Sequence, residues 1–188
     1  MNKIILALFA LIGFSVAACA RQKQDTTMTP ADKKILVVYF SATGTTAKAA
    51  QKLSQAVHGS LYAITPEKTY TDKDLDWTSK SSRSSQEMNN PQARPAIKES
   101  LVNIADYNVV FIGYPIWWDL APRIINTFIE SHDLKGKIII PFATSGGSSI
   151  SNSVSALRKS YPELNWKKGI LLNRTDENTL KECISLTE

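Results

Sequence analysis

The stretch "VVYFSATGTTAKAAQKL", Val37 to Leu53, changes character in its middle. An apolar run ends at Phe40, a short segment of hydroxyls with one glycine follows, and an alanine-rich pattern begins at once. Ile35 to Phe40 carry no charge, as a strand buried on both faces requires. Ala49, Leu53, Ala56 and Val57 then recur at helical spacing, with Lys48, Lys52 and Gln55 on the other side. The stretch therefore predicts strand, turn, helix. The first N–H groups of such a helix lack intrahelical partners, and the helix dipole favours negative charge beside them. Ser41, Thr43, Thr45 and Thr46 set four hydroxyls around that point, and Gly44 lets the backbone turn closely. A helix cap needs only one hydroxyl, so the turn reads as an anion cradle. It lacks the lysine of a nucleoside-triphosphate loop, and no G-x-G-x-x-G fingerprint is present. An uncharged cradle suits a phosphate monoester.

Outward from that stretch, short apolar runs keep alternating with amphipathic helices, the pattern of a parallel sheet covered on both faces. Ser60 to Ile64, Asn108 to Tyr114, Lys137 to Thr144 and a run around Ile170 to Leu172 supply four more strands, making five. Ile124, Ile125, Phe128 and Ile129 space one helix, with Pro122 in its first turn. Ile150, Val154 and Leu157 space another, and Leu180, Cys183 and Ile184 a last one. From Thr65 to about Pro95 the chain is polar, with Tyr70, Trp77, Arg83 and Arg94 and no sustained periodicity. A connection of that length in a compact domain is either functional or disordered.

Two further strand ends carry chemistry. Tyr114, Trp117 and Trp118 put three aromatic residues within five positions, directly before a helix, and so offer an apolar platform for a flat ring. Gly146 and Gly147 in "TSGGSS" can present backbone N–H groups to a ring carbonyl or pyrimidine edge.

"FSATGTT", Phe40 to Thr46, resembles the phosphate loop of flavodoxins. "GYPIWWDLAP", Gly113 to Pro122, and "PFATSGGSS", Pro141 to Ser149, resemble the second and third flavin loops of a flavodoxin-like bacterial group. "DLDW", Asp74 to Trp77, and Arg94-Pro95 resemble that group's long second connection. The resemblance runs from about Lys34 to the C-terminus. It implies a doubly wound five-stranded parallel sheet of order 2-1-3-4-5, with helices on both faces and FMN at the switch point beside the first and third strands. It places Ser41, Ala42, Thr43, Gly44, Thr45 and Thr46 at the phosphate. It places Tyr114, Pro115, Ile116, Trp117 and Trp118, with Thr144, Ser145, Gly146 and Gly147, along the flavin.

The first eighteen residues stand outside this domain. Lys3 is followed by an uncharged apolar run from Ile4 to Ala18, which reads as an export signal. "VAAC", Val16 to Cys19, resembles the lipobox of bacterial lipoproteins, which makes Cys19 the lipid attachment point. Residues 19–33 are polar and read as a tether, and 34–188 form the FMN-binding domain. With Cys19 lipidated, Cys183 has no partner for a disulfide.

The chain has 188 residues, 43% hydrophobic and 21% charged, which suits one globular domain. Its net charge is +5; Lys3 supplies one of these, leaving +4 from Cys19 onward. No basic cluster interleaved with aromatics points to nucleic acid. Ser145 and Ser148 lack a G-x-S-x-G setting or a paired base, and His58 and His132 have no ligand-spaced partners, so neither a serine hydrolase nor a metal site is expected. Asp72, Asp74 and Asp76 lack the glycine and distal glutamate of a calcium loop. No catalytic residue is assigned.

The expected function is an exported, lipid-anchored FMN protein that passes electrons in the cell envelope to a redox partner protein or a quinone-like small molecule. Two alternatives stand beside it: an NAD(P)H-dependent FMN quinone reductase, and a cofactor-free envelope binding module. Soluble flavodoxin shuttles are acidic, whereas this chain has a pI near 9.2, which favours an acidic docking partner or a small neutral acceptor.

Overall fold

The computed structural model describes residues 33–98 and 103–188. The expected export signal, Cys19 and all of the expected tether except Lys33 lie outside the described residues.

The alternation of apolar runs and helices becomes one sheet. Strand β1 (Ile35–Tyr39) lies between β2 (Ser60–Ala63) and β3 (Val109–Pro115), and β4 (Ile138–Thr144) follows β3. All pairings are parallel, in the order β2-β1-β3-β4-β5, so the expected topology holds. Helix α1 (Thr45–Ala56) follows β1, α3 (Arg123–Glu130) follows β3 and α4 (Ser151–Ser160) follows β4; α5 (Glu177–Ser185) closes the chain.

Strand alternation divides the core in two. Leu36, Val38 and Phe40 of the first run, with Val110, Ile112 and Tyr114 of β3, face α3 and α4 through Ile124, Phe128, Val154 and Leu157. Val37, Val109, Phe111, Ile140 and Phe142 face α1 and α5 through Ala50, Leu53 and Cys183. Gly113 belongs to the second face, and its missing side chain is required there. A Cβ on it would stand 2.0 Å from the Phe142 ring.

The fifth strand differs from expectation. Its place at the sheet edge is shared by β5 (Asn165–Trp166), paired with Ile138–Ile139, and β6 (Ile170–Leu171), paired with Phe142–Ala143. The break falls opposite Pro141. Ile139 and Ala143 accept from Lys167 and Leu172 on this edge, so Pro141 faces the same way and has no N–H to offer there.

The second connection is also more ordered than its composition predicts. Its base is closed by an antiparallel bridge between Pro66 and Ile97. Within it lies a short helix, α2 (Arg83–Asn89), capped by the Ser82 side chain accepting from the Ser85 N–H.

Candidate functional site

The site is assembled at the carboxyl ends of β1, β3 and β4. Helix α1 begins at Gly44, whose φ of 89° is the left-handed conformation glycine tolerates. No side chain caps it and its first turn holds no acid. Its first intrahelical bond runs from Lys48 N–H to the Gly44 carbonyl, so the N–H groups of Thr45, Thr46 and Ala47 precede the ladder. Ser41 Oγ accepts from Gly44 N–H at 3.1 Å and fixes the turn, while Thr43 and Thr45 are exposed at its rim. An uncapped, uncharged N-terminus of a twelve-residue helix is a ready anion site.

Thr46 has a different role from its neighbours. It is 1% exposed, and its hydroxyl meets that of Thr144 at 2.8 Å beneath the turn. The first and third loops are thereby tied together.

The second loop is a tight hairpin. Trp117 and Leu120 exchange two backbone hydrogen bonds of 3.0 Å, leaving Trp118 and Asp119 as its two central residues. Both have positive φ, 45° and 64°. Such turns favour Asn-Gly, and each non-glycine residue held there costs about 1–2 kcal/mol. Asn152 Nδ2 donates to Asp119 Oδ2 and anchors the turn to α4. The hairpin presents the Trp118 side chain at the rim, 46% exposed.

Trp117 is fixed from below. Its ring meets Phe40 edge-on at 5.7 Å and Tyr70 at 5.4 Å. Tyr70 in turn carries the Arg83 guanidinium over its face at 4.0 Å and donates its hydroxyl to Glu87 at 2.5 Å. Arg83 Nε donates to the same carboxylate at 2.6 Å, and its Nη1 donates to the Lys68 carbonyl. Burial first, then Glu87, hold the Tyr70 hydroxyl well above the usual tyrosine range.

Tyr114 does not share the aromatic platform. It is fully buried, its hydroxyl lies 3.1 Å from Ser153 Oγ, and burial pushes it up to about 12. The reason is parity: Ile112 and Tyr114 sit two apart on β3 and face the same core layer.

The third loop is set by Ser145. Its N–H donates to Asn173 Oδ1 and its carbonyl accepts from Asn173 Nδ2, both at 2.8 Å. Ser145 Oγ accepts from the N–H groups of Gly147 and Ser148. The N–H of Gly147 is thus already occupied, and both glycines lie exposed.

Between the first loop, the second loop and the second connection lies a crevice of about 430 Å³. Ala42, Thr43, Pro115, Ile116, Trp117 and Trp118 line it, and the second connection adds Leu75, Trp77 and Ser84. None of these nine residues is charged. Thr144, Ser145, Gly146 and Gly147 do not line it. Leu75, Trp77 and Ser84 were not among the expected site residues. The signal available was an apolar pair, Leu75 and Trp77, inside an otherwise polar stretch.

Among the described residues, no cluster of His, Cys, Asp and Glu could hold a metal. His132 packs on Phe128 at 4.4 Å, away from the crevice. Cys183 is 0% exposed, and burial raises its thiol to about 12, which leaves it a small core residue. No described helix is long and apolar enough to cross a membrane.

Comparison with known proteins agrees with this architecture. A family model described as Flavodoxin matches residues 34–186. A crystal structure assigned as a flavoprotein from Bacteroides eggerthii DSM 20697 is 66% identical, with a TM-score of 0.81, covering 82% of this chain and 98% of that one. A second, from Bacteroides uniformis ATCC 8492, is 56% identical with a TM-score of 0.79, covering 81% and 98%. A flavoprotein from Lactobacillus acidophilus NCFM, solved in complex with FMN, shares the fold at 23% identity and a TM-score of 0.62, covering 74% and 92%. No curated protein matches the sequence.

Proposed function

The chain belongs to the flavodoxin family, and we propose that it binds FMN and passes electrons in the cell envelope. The observation that carries the reading is the start of α1: free N–H groups, hydroxyls on either side and no charge, opening beside an aromatic crevice. A phosphate monoester is held there by neutral donors and the helix dipole. The FMN complex of the Lactobacillus relative supports the choice of ligand.

Each loop has a part in such a site. Thr45, Thr46 and Ala47 offer backbone N–H groups to the phosphate, and the Thr43 and Thr45 hydroxyls add short donors at its edge. Ile116, Trp117 and Trp118 supply an apolar wall that excludes water and receives one face of the ring. Gly146 adds an exposed backbone N–H from the third loop, which Asn173 holds in place. When bound, FMN accepts and releases electrons one or two at a time, and the protein positions it and tunes its electronics.

Electrons pass to an acidic partner protein or to a small neutral acceptor, in keeping with the chain's positive charge. Cys19 serves as the lipid anchor. Lys33, whose ammonium donates to the carbonyls of Thr187 and Glu188, meets the domain at the end of β1 opposite the crevice. An anchored domain therefore turns its site outward.

Purified Ala20–Glu188 is expected to be yellow, or to become so on incubation with FMN. A protein that stays colourless overturns the reading in favour of a cofactor-free binding module.

A further inference from the structure

We propose that the groove between α4 and the link joining β5 to β6 is a docking site for an acidic redox-partner protein, which it sets against the third loop. The inference rests on the FMN reading and gives the acidic partner of that reading a place on the molecule.

The groove follows from the split edge strand. Lys167, Lys168 and Gly169 join β5 to β6, and Gly169 passes α4 so closely that a Cβ on it would stand 2.6 Å from Val154 Cγ2. Beside this contact lies a groove of about 470 Å³. Ile150, Val154, Ser155 and Arg158 line it from one flank of α4, and Lys168 and Gly169 from the link. It shares no lining residue with the flavin crevice.

Charge selects the occupant. Residues 150–169 carry Arg158, Lys159, Lys167 and Lys168 against one acid, Glu163, a net +3 in a chain whose total is +5. Most of the excess charge is therefore concentrated on this flank. Lys168 is paired with Glu182 at 2.7 Å, but among the described residues Arg158, Lys159 and Lys167 pair with no carboxylate. Arg158 Nη2 donates to the carbonyls of Lys167 at 2.8 Å and Trp166 at 3.4 Å. The guanidinium is thus held to the link, with Nε and Nη1 left for an incoming carboxylate. A surface bearing carboxylates is steered to such a flank and fixed in register on it, whereas a basic one is repelled.

Position favours a protein over a membrane. The third loop leads directly into α4, so the groove starts four residues after Gly146 and runs about 12 Å along the helix to Arg158. A partner that spans it also covers the exposed third loop. The expected lipid tether enters at Lys33, before β1, whereas the third loop follows β4 at the opposite end of the parallel sheet.

The test uses the full chain loaded with FMN and, as the probe, cytochrome b5, an acidic haem protein, with binding read by calorimetry at low salt. Ser155→Glu places a carboxylate in the groove at an exposed position, and Gln55→Glu makes the same change of charge at an exposed position of α1, on the other face of the sheet. Ser155→Glu is expected to weaken binding about fivefold or more and Gln55→Glu to leave it within about twofold, with the difference vanishing in high salt. Stopped-flow mixing of the dithionite-reduced protein with the ferric probe should show the same order of rates, one electron leaving the flavin for each haem reduced. The proposal is overturned if the two variants behave alike, if wild type does not bind the probe at low salt, or if Ser155→Glu lowers affinity for phosphatidylglycerol vesicles and leaves the probe unaffected. Flavin retention is read separately from visible absorbance. A wild type that binds the probe as described but holds no FMN removes the FMN reading and leaves the docking site standing.

Discussion

The hydroxyls of Thr46 and Thr144, ninety-eight residues apart in the chain, meet at 2.8 Å and tie the first turn of α1 to the end of β4. Both residues are nearly fully buried, at 1% and 4% exposure. Thr46→Val leaves the Thr144 hydroxyl buried without this partner, at a cost of about 1–3 kcal/mol. Urea denaturation is expected to show that loss, and the double variant Thr46→Val/Thr144→Val to recover part of it. Simple additivity of the two single variants would mean that the contact contributes nothing.

Gly113 is required by packing rather than by backbone conformation. Gly113→Ala drives a methyl group into the Phe142 ring, and overpacking of this kind costs about 1–3 kcal/mol. The melting temperature should fall by about 2–4 °C for each kcal/mol, and Phe142→Leu in the same chain should return some of it. An unchanged melting temperature would show that β3 and β4 move apart freely.

Tyr70 links stability to alkaline pH. Burial and Glu87 keep it protonated in the folded chain, whereas the unfolded chain releases that proton near pH 10, at about the ordinary tyrosine value. Its contribution is fully present below about pH 10 and falls above it, by about 1.4 kcal/mol per pH unit. Tyr70→Phe should be less stable than wild type at neutral pH, through loss of the bond to Glu87, and the gap should narrow between about pH 9 and 11. Tyr114 and Tyr161, also raised to about 12, are common to both proteins and cancel in the comparison. A gap constant across that range would contradict the assignment.

The parts legible in the sequence were those in which local pattern and tertiary role agree. The uncharged run into Phe40, the hydroxyl turn and the alanine-rich helix became β1, a tight turn through Gly44 and α1. Tyr114 was misread because its place beside two tryptophans outweighed strand alternation, although the two-residue step from Ile112 already pointed it inward. The split of the edge strand depends on a missing N–H at Pro141, a residue in a different strand, so no reading of the run around Ile170 to Leu172 alone could find it. Helix α2 has seven residues, too few for periodicity to be read. It is held by the Ser82 cap and by contacts from Arg83 and Glu87 to Tyr70, thirteen and seventeen positions earlier. Its contribution to the crevice, Ser84, was hidden for the same reason.

The central claim is that the start of α1 holds a phosphate monoester, and FMN compared with riboflavin isolates it, because the two share the ring and differ in that group. Charge-assisted hydrogen bonds contribute about 1.5–3 kcal/mol each, so fluorescence titration should show FMN binding at least about a hundredfold more tightly. The same advantage should collapse in Thr45→Asp, which places a carboxylate where the phosphate would sit. Equal affinities for FMN and riboflavin in wild type would contradict the account.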